Sequence, residues 1–206
     1  MIDISITLSA STPEWPGDTP FSCGWSATIA DGASVNVSAF TTSPHVGTHA
    51  DAPLHVRDDA AGADRLPLEA FFGPVMVVNL VRHAGVIERE TLRAAGLERT
   101  PPRLLLRTDR SIAQGEFPGD WPTLSPTCAA ELAADGLLLL GVDCPSVDTR
   151  HSKELAVHHA LFDGGAFILE NLDLTSVPAG AYDLAAPPLK IAGLDAAPVR
   201  AILRHA

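Results

Sequence analysis

The sequence predicts an α/β fold. Two observations carry this. Residues 75–81 (Val-Met-Val-Val-Asn-Leu-Val) and 137–142 (Leu-Leu-Leu-Leu-Gly-Val) are apolar on both faces, as strands inside a sheet covered on two sides must be. From residue 74 to 142 strand and helix patterns alternate, which is how parallel strands joined by crossover helices read. The 206 residues show no linker, charge block or repeat, so a single domain over 1–206 is expected.

In chain order, Ile2 to Leu8 alternates apolar and polar and predicts a half-buried strand. Pro13 to Pro20 holds three prolines and a glycine and predicts a loop, in which Trp15 is either an exposed lid or a plug that packs the loop down. Residues 23–30 and 34–41 read as two strands joined at Asp31-Gly32. Residues 58–64 are small and polar, a surface loop, and 66–72 suit a short helix or turn. Ile87 to Ala95 is helical in pattern with Gly96 as its stop, and Arg103 to Thr108 is a strand. Ser125-Pro126 marks an N-cap and first helical position, with Gly136 closing that helix. Lys153 to Leu161 predicts a short helix containing His158 and His159, and Ala166 to Glu170 a strand ending on an acid. Residues 189–192 and 199–203 read as closing strands.

The net charge of −11 removes nucleic acid from the expected partners, because no basic stripe is present to meet phosphate. The first residues show no basic region followed by an apolar run, and the apolar stretch 136–142 is too short to span a bilayer. Cys23, Cys128 and Cys144 are odd in number and far apart, so they read as reduced thiols in a cytoplasmic protein.

Chemistry concentrates in His45-Val46-Gly47-Thr48-His49-Ala50-Asp51-Ala52-Pro53-Leu54-His55. Histidine is often a surface residue, but here three of the chain's eight fall within eleven residues with a carboxylate among them. Gly47 and Pro53 argue against a helix. On an extended backbone His49 and Asp51 share a face, and bends at Gly47 and Pro53 gather His45 and His55 towards them. Imidazoles converging on a carboxylate suit a metal. His45, His49 and Asp51 suffice for one catalytic zinc with His55 free as an acid/base; His158 and Glu170 add donors for a second ion, with Asp51 or Glu170 as the bridge. His158 and His159 point about 100° apart on a helix, so only one of them can face the site. His83, His151 and His205 lie in polar or terminal surroundings and read as surface groups.

The string His45-x-Gly47-Thr48-His49-x-Asp51-x-Pro53-x-His55 resembles the signature of the metal-dependent cyclase superfamily, and within it the bacterial kynurenine formamidases (arylformamidases). Asp3-Ile4-Ser5, Pro16-Gly17-Asp18, Gly141-Val142-Asp143, Pro145-Ser146-Val147-Asp148 and Glu170-Asn171-Leu172 follow that resemblance in order, so it spans nearly the whole chain. It departs at Thr149-Arg150, where proline often follows the aspartate, and in the doubled histidine. The resemblance implies a swivelling β/β/α fold, a mixed sheet around a small barrel-like core, in a homodimer. It implies two zinc ions per subunit. His45, His49 and Asp51 match the ligands of the first, Asp51 and His158 touch the second, and Glu170 bridges both. It makes His55 the catalytic acid/base and Trp15 a substrate-stacking residue. The implied reaction is hydrolysis of N-formylkynurenine to kynurenine and formate, by zinc-activated water, in tryptophan degradation.

Three rivals follow from the same residues: an isatin or other cyclic-amide hydrolase on this fold, with manganese as the alternative metal; a thiol enzyme built on Cys144 with His151; and a non-enzymatic metal-binding protein. No Gly-x-Ser-x-Gly elbow supports a serine hydrolase.

Overall fold

A computed structural model of the chain describes residues 1–205. Strand β1 (Ile2–Asp3) is followed by a long loop and by the hairpin β2 (Ser22–Ala27) and β3 (Val37–Thr41). Next come β4 (His49–Asp51), β5 (Phe72–Asn79), β6 (Val86–Ile87), α1 (Arg89–Ala94), β7 (Arg103–Arg107) and β8 (Thr123–Leu124). The chain closes with α2 (Pro126–Ala134), β9 (Leu139–Val142), α3 (Ala156–Asp163), β10 (Phe167–Glu170), β11 (Gly180–Ala185), β12 (Ala196–Pro198) and β13 (Ile202–His205).

Nine strands form one mixed sheet in the order β1-β13-β11-β5-β7-β9-β10-β4-β12, curled into a half-barrel. The four in the middle, β5, β7, β9 and β10, run parallel, as the strand–helix alternation predicts. Antiparallel strands flank them on both sides. The two-sided apolar pattern is explained by two cores. Val75, Val77, Leu105, Leu139 and Leu169 pack on one face of the sheet with Phe71 and Leu203. Val78, Leu104, Leu106, Leu140 and Ile168 pack on the other, under α1, α2 and α3. Burying a side chain such as Leu105 contributes about 1.5–3 kcal/mol relative to exposure.

Helix α2 starts where predicted: the Ser125 side chain accepts from the Cys128 N–H, Pro126 occupies the first turn, and Gly136 follows the end with φ +96. Elsewhere the boundaries move. The predicted strand over 2–8 keeps only Ile2–Asp3 plus a bridge at Ser5, because Ile6 turns its N–H to the Thr48 hydroxyl at 2.9 Å. Helix α1 is shortened because Val86–Ile87 pair with Thr123–Leu124 instead. Helix α3 begins later than predicted, after Leu155 adopts a left-handed φ of +44. Residues 189–192 form no strand; past Ala185 only an isolated bridge from Pro188 to Val199 remains, and Leu189 stays 52 % exposed. The missed strand β11 lies inside the sheet between β13 and β5, with Tyr182 and Leu184 buried at period two. No helix among the described residues is long and apolar enough to cross a membrane.

Candidate metal centre

Three short segments meet on the helix-covered face of the sheet. The first is β4, which lies between β10 and β12. Its alternation sends Ala50 into one core and His49 and Asp51 to the opposite face. Glu170, the last residue of β10, is the direct cross-strand partner of His49. The second segment is the turn before β4. Gly47 has φ +73, and a Cβ there would stand 2.4 Å from a Leu8 methyl, so only glycine lets the chain double back and lay His45 over β4. The third is α3, which carries His158.

The donor atoms form two groups that share two carboxylates. Around Asp51 Oδ1 lie His45 Nδ1 at 3.2 Å and His49 Nε2 at 3.3 Å, and His49 Nε2 is 3.5 Å from Glu170 Oε2. His158 Nε2 lies 3.5 Å from Asp51 Oδ2 and 3.6 Å from Glu170 Oε1. Each carboxylate therefore turns one oxygen to each group. His158, not His159, faces the centre; His159 meets Arg57 on the other side of the helix.

These residues fit a bound cation on three counts. His49, Asp51, His158 and Glu170 are each under 5 % exposed, and among the described residues no Lys or Arg pairs with the two acids. The donor atoms of His49, Asp51 and Glu170 lie within 4.8 Å of one another, where two like charges repel by roughly 3 kcal/mol or more at an effective dielectric near 20. Second, both oxygens of Asp51 and Nε2 of His158 are buried with no hydrogen-bond partner, a costly arrangement unless something else satisfies them. Third, every imidazole is anchored through its outer nitrogen. His45 Nε2 meets Asp195 at 2.9 Å, His49 Nδ1 the Gly47 carbonyl at 2.9 Å, and His158 Nδ1 the Asp148 carboxylate at 2.7 Å. Donation at those atoms leaves each inner nitrogen bare, which is the ligating tautomer. Bare Nδ1 of His45 and bare Nε2 of His49 then stand 3.1 Å apart with nothing to share between them.

In the metal-free protein protons fill that role. Burial pushes all three imidazoles down, but the carboxylates outweigh it. Asp195 and Asp51 raise His45 to about 9, Asp51 and Glu170 raise His49 to about 10, and Asp148 and Asp51 raise His158 to about 10. Burial raises Asp51 in turn, but His49, His158 and His45 hold it well below the usual carboxylate range.

His55 sits beside this cluster at the end of a 3₁₀ turn begun by Pro53. Its ring centre is 4.4 Å from that of His45 and 5.6 Å from that of His158. A cavity of about 430 Å³ opens above, lined by His45, His55, His158 and Glu170 at its base and by Trp15, Phe117 and Leu155 on its walls. Trp15 is both plug and wall. It packs edge-on against Phe117 and Trp121 at 5.5 and 6.0 Å between centres, and it faces the cavity.

Two acids that the spacing argument passes over complete the arrangement. Asp148 takes the N–H groups of Val157 and His158 as well as the His158 ring, so it caps α3 and aims its histidine. Its sequence signals are its place beyond the C-terminal end of β9 and within the Pro145–Asp148 stretch of the family resemblance, neither of which gives it a role. Asp195 touches both His45 and His55 and lies in a stretch with no motif. Cys144 is buried with its thiol pushed well up by burial, which makes it a poor nucleophile, and His151 is exposed.

Residues 2–149 match the Cyclase family model, described as "Putative cyclase". The chain belongs to the Cyclase family. Solved structures of similar shape include a "potential metal-dependent hydrolase with cyclase activity", 27 % identical with a TM-score of 0.83 over 98 % of this chain and 95 % of that one. A predicted metal-dependent hydrolase from Bacillus stearothermophilus is 26 % identical, with a TM-score of 0.82 over 98 % and 96 %. Isatin hydrolase A from Labrenzia aggregata, bound to benzyl benzoate, shares the fold at 24 % identity and a TM-score of 0.80 over 98 % and 92 %. The likeness to these cyclase-fold chains runs past residue 149, and so takes in His158 and Glu170 as well as the signature.

Proposed function

We propose that this Cyclase-family chain is a metal-dependent amide hydrolase that cleaves N-formyl-L-kynurenine to L-kynurenine and formate, an arylformamidase step in tryptophan degradation. The observation that carries the reading is the pairing of a buried donor cluster of three imidazoles and two shared carboxylates with a cavity walled by Trp15 and Phe117. Its solved relatives named as metal-dependent hydrolases support the reaction class.

His45, His49, Asp51, His158 and Glu170 would hold two divalent ions, zinc by preference for this nitrogen and oxygen set, with manganese as the alternative. Such ions would supply Lewis acidity, lowering the pKa of water towards ~7 and polarising the substrate carbonyl. The chain's own groups do the rest. Trp15 and Phe117 offer aromatic surface for an aryl ring and exclude water from one side of it. In this reading the scissile carbonyl would lie beside Glu170 and His158, which line the same cavity. His55 accepts a proton from the attacking water and returns it to the departing aryl amine. The amine leaves as a neutral group and the added oxygen stays with the formyl carbon.

A second reading, hydrolysis of a cyclic aryl amide such as isatin, has support from the isatin hydrolase among the similar folds. Turnover of both substrates by metal-loaded protein separates the two. Preference for N-formylkynurenine supports the first, and preference for isatin replaces it.

A further inference from the structure

Asp195 belongs to neither donor group, yet it touches the centre at two points. One oxygen, Oδ2, lies 2.9 Å from His45 Nε2 and 3.0 Å from His55 Nδ1. The same residue's carbonyl accepts the Ala52 N–H at 2.8 Å, so its place is fixed against the chain three residues before His55. Both imidazoles therefore present an N–H to a single atom. For His45 this leaves Nδ1, the nitrogen facing Asp51, bare. For His55 it leaves Nε2 as the only nitrogen able to exchange a proton, on a ring that lines the cavity. From this geometry we propose that Asp195 is a positioning residue that sets the tautomer and angle of His55 and, through the same oxygen, holds His45 as a ligand. One carboxylate thus registers the proton-moving group against the first metal position.

The inference rests on the hydrolase reading above for its kinetic consequence, but not for its structural one. Placement errors of about 1 Å can cost of the order of 10²-fold in rate, and an aspartate that fixes a histidine tautomer is a known route to such losses in other enzymes. A residue acting on His55 must lose its effect when His55 is absent. A residue that merely supports the loop would keep it.

The test uses the full chain loaded with saturating zinc. Asp195→Ala should lower kcat for the aryl formamide by roughly 10- to 100-fold with KM little changed, the general acid/base range setting the ceiling. Asp195→Asn, whose carboxamide oxygen still accepts both N–H groups, should recover part of that loss. In a His55→Ala background, adding Asp195→Ala should cost under about threefold, since coupled groups are non-additive. Chelator competition should show zinc affinity reduced by roughly 10-fold in Asp195→Ala and unchanged in His55→Ala. Nitrogen-15 NMR of the metal-free wild type should show His55 protonated on Nδ1. An undiminished rate loss in the His55→Ala background, or a wild-type His55 protonated on Nε2, overturns the proposal. If no amide is turned over at all, the hydrolase reading fails, while the tautomer and zinc-affinity measurements still decide the role of Asp195.

Discussion

At the scale of single residues, the donors differ in what each removal does. Asp51 serves both groups and is fully buried, so Asp51→Asn should abolish binding of both ions, read as zinc per chain by elemental analysis. His55 brings a ring nitrogen within 4.8 Å of donor atoms of His45 and Asp51, but its Nδ1 is turned to Asp195, so His55→Ala should keep its metal and lose most turnover, of the order of 10²-fold or more. Metal content falling in step with activity would make His55 a ligand. The histidine pKa values set a further expectation. His45, His49 and His158 titrate higher in the folded, metal-free protein than in the unfolded chain, so their protonation stabilises it. That contribution is complete below about pH 6.5 and is lost as pH rises through about 9 to 10. Metal-free protein should therefore melt lower at pH 10 than at pH 6. Zinc-loaded protein, whose inner nitrogens carry no proton, should show a smaller fall.

At the scale of elements, the centre depends on backbone turns that only certain residues allow. Gly47→Ala adds a Cβ both at positive φ and against Leu8, so it should destabilise the protein by about 1–3 kcal/mol and loosen His45. A denaturant midpoint and a zinc titration check this. The hairpin β2–β3 poses a different question. Both strands are exposed along nearly their whole length, Trp25 and Phe40 are 67 % and 64 % exposed, and Asp31 is the one charged residue from 22 to 41. A two-stranded hairpin alone is marginal in water. We propose that a second copy of the chain covers it, giving the homodimer that the family resemblance implies. Sedimentation should then show a dimer that Trp25→Ser with Phe40→Ser shifts towards monomer; a monomeric wild type contradicts this.

The same elements show what the sequence made legible and what it did not. Period two across His49-Ala50-Asp51 places two donors on one face, and the cap signals of α2 mark its first residue and, within about one residue, its end, because both signals are local. The distant donors His158 and Glu170 are candidates from residue type alone, and only family resemblance gives each a role, since Glu170 reaches the site through the pairing of β4 with β10 and His158 from α3. Asp148 and Asp195 were passed over for the same reason. Their roles come from hydrogen bonds across 10 to 150 residues of chain, and no local pattern encodes those. Residues 189–192 misled because apolar content outweighed two prolines, and β11 hid behind a weak alternation between glycine and alanine.

For the whole molecule, the buried acids make metal and fold one equilibrium. The two acids and three imidazoles of the centre need a positive charge between them, which protons supply in the metal-free protein and a bound ion would supply in their place. Removing metal should lower the melting temperature, and ion at 100 times its Kd should restore about 2.7 kcal/mol per site. The most direct test of the account is a single preparation in which zinc per chain and turnover of N-formyl-L-kynurenine and isatin are measured together. The account predicts two ions per chain, activity that disappears on chelation and returns with zinc, and a kcat/KM for N-formyl-L-kynurenine at least ~10-fold above that for isatin, the factor worth about 1.4 kcal/mol in transition-state binding. Two tightly bound ions with no turnover of either amide would contradict it.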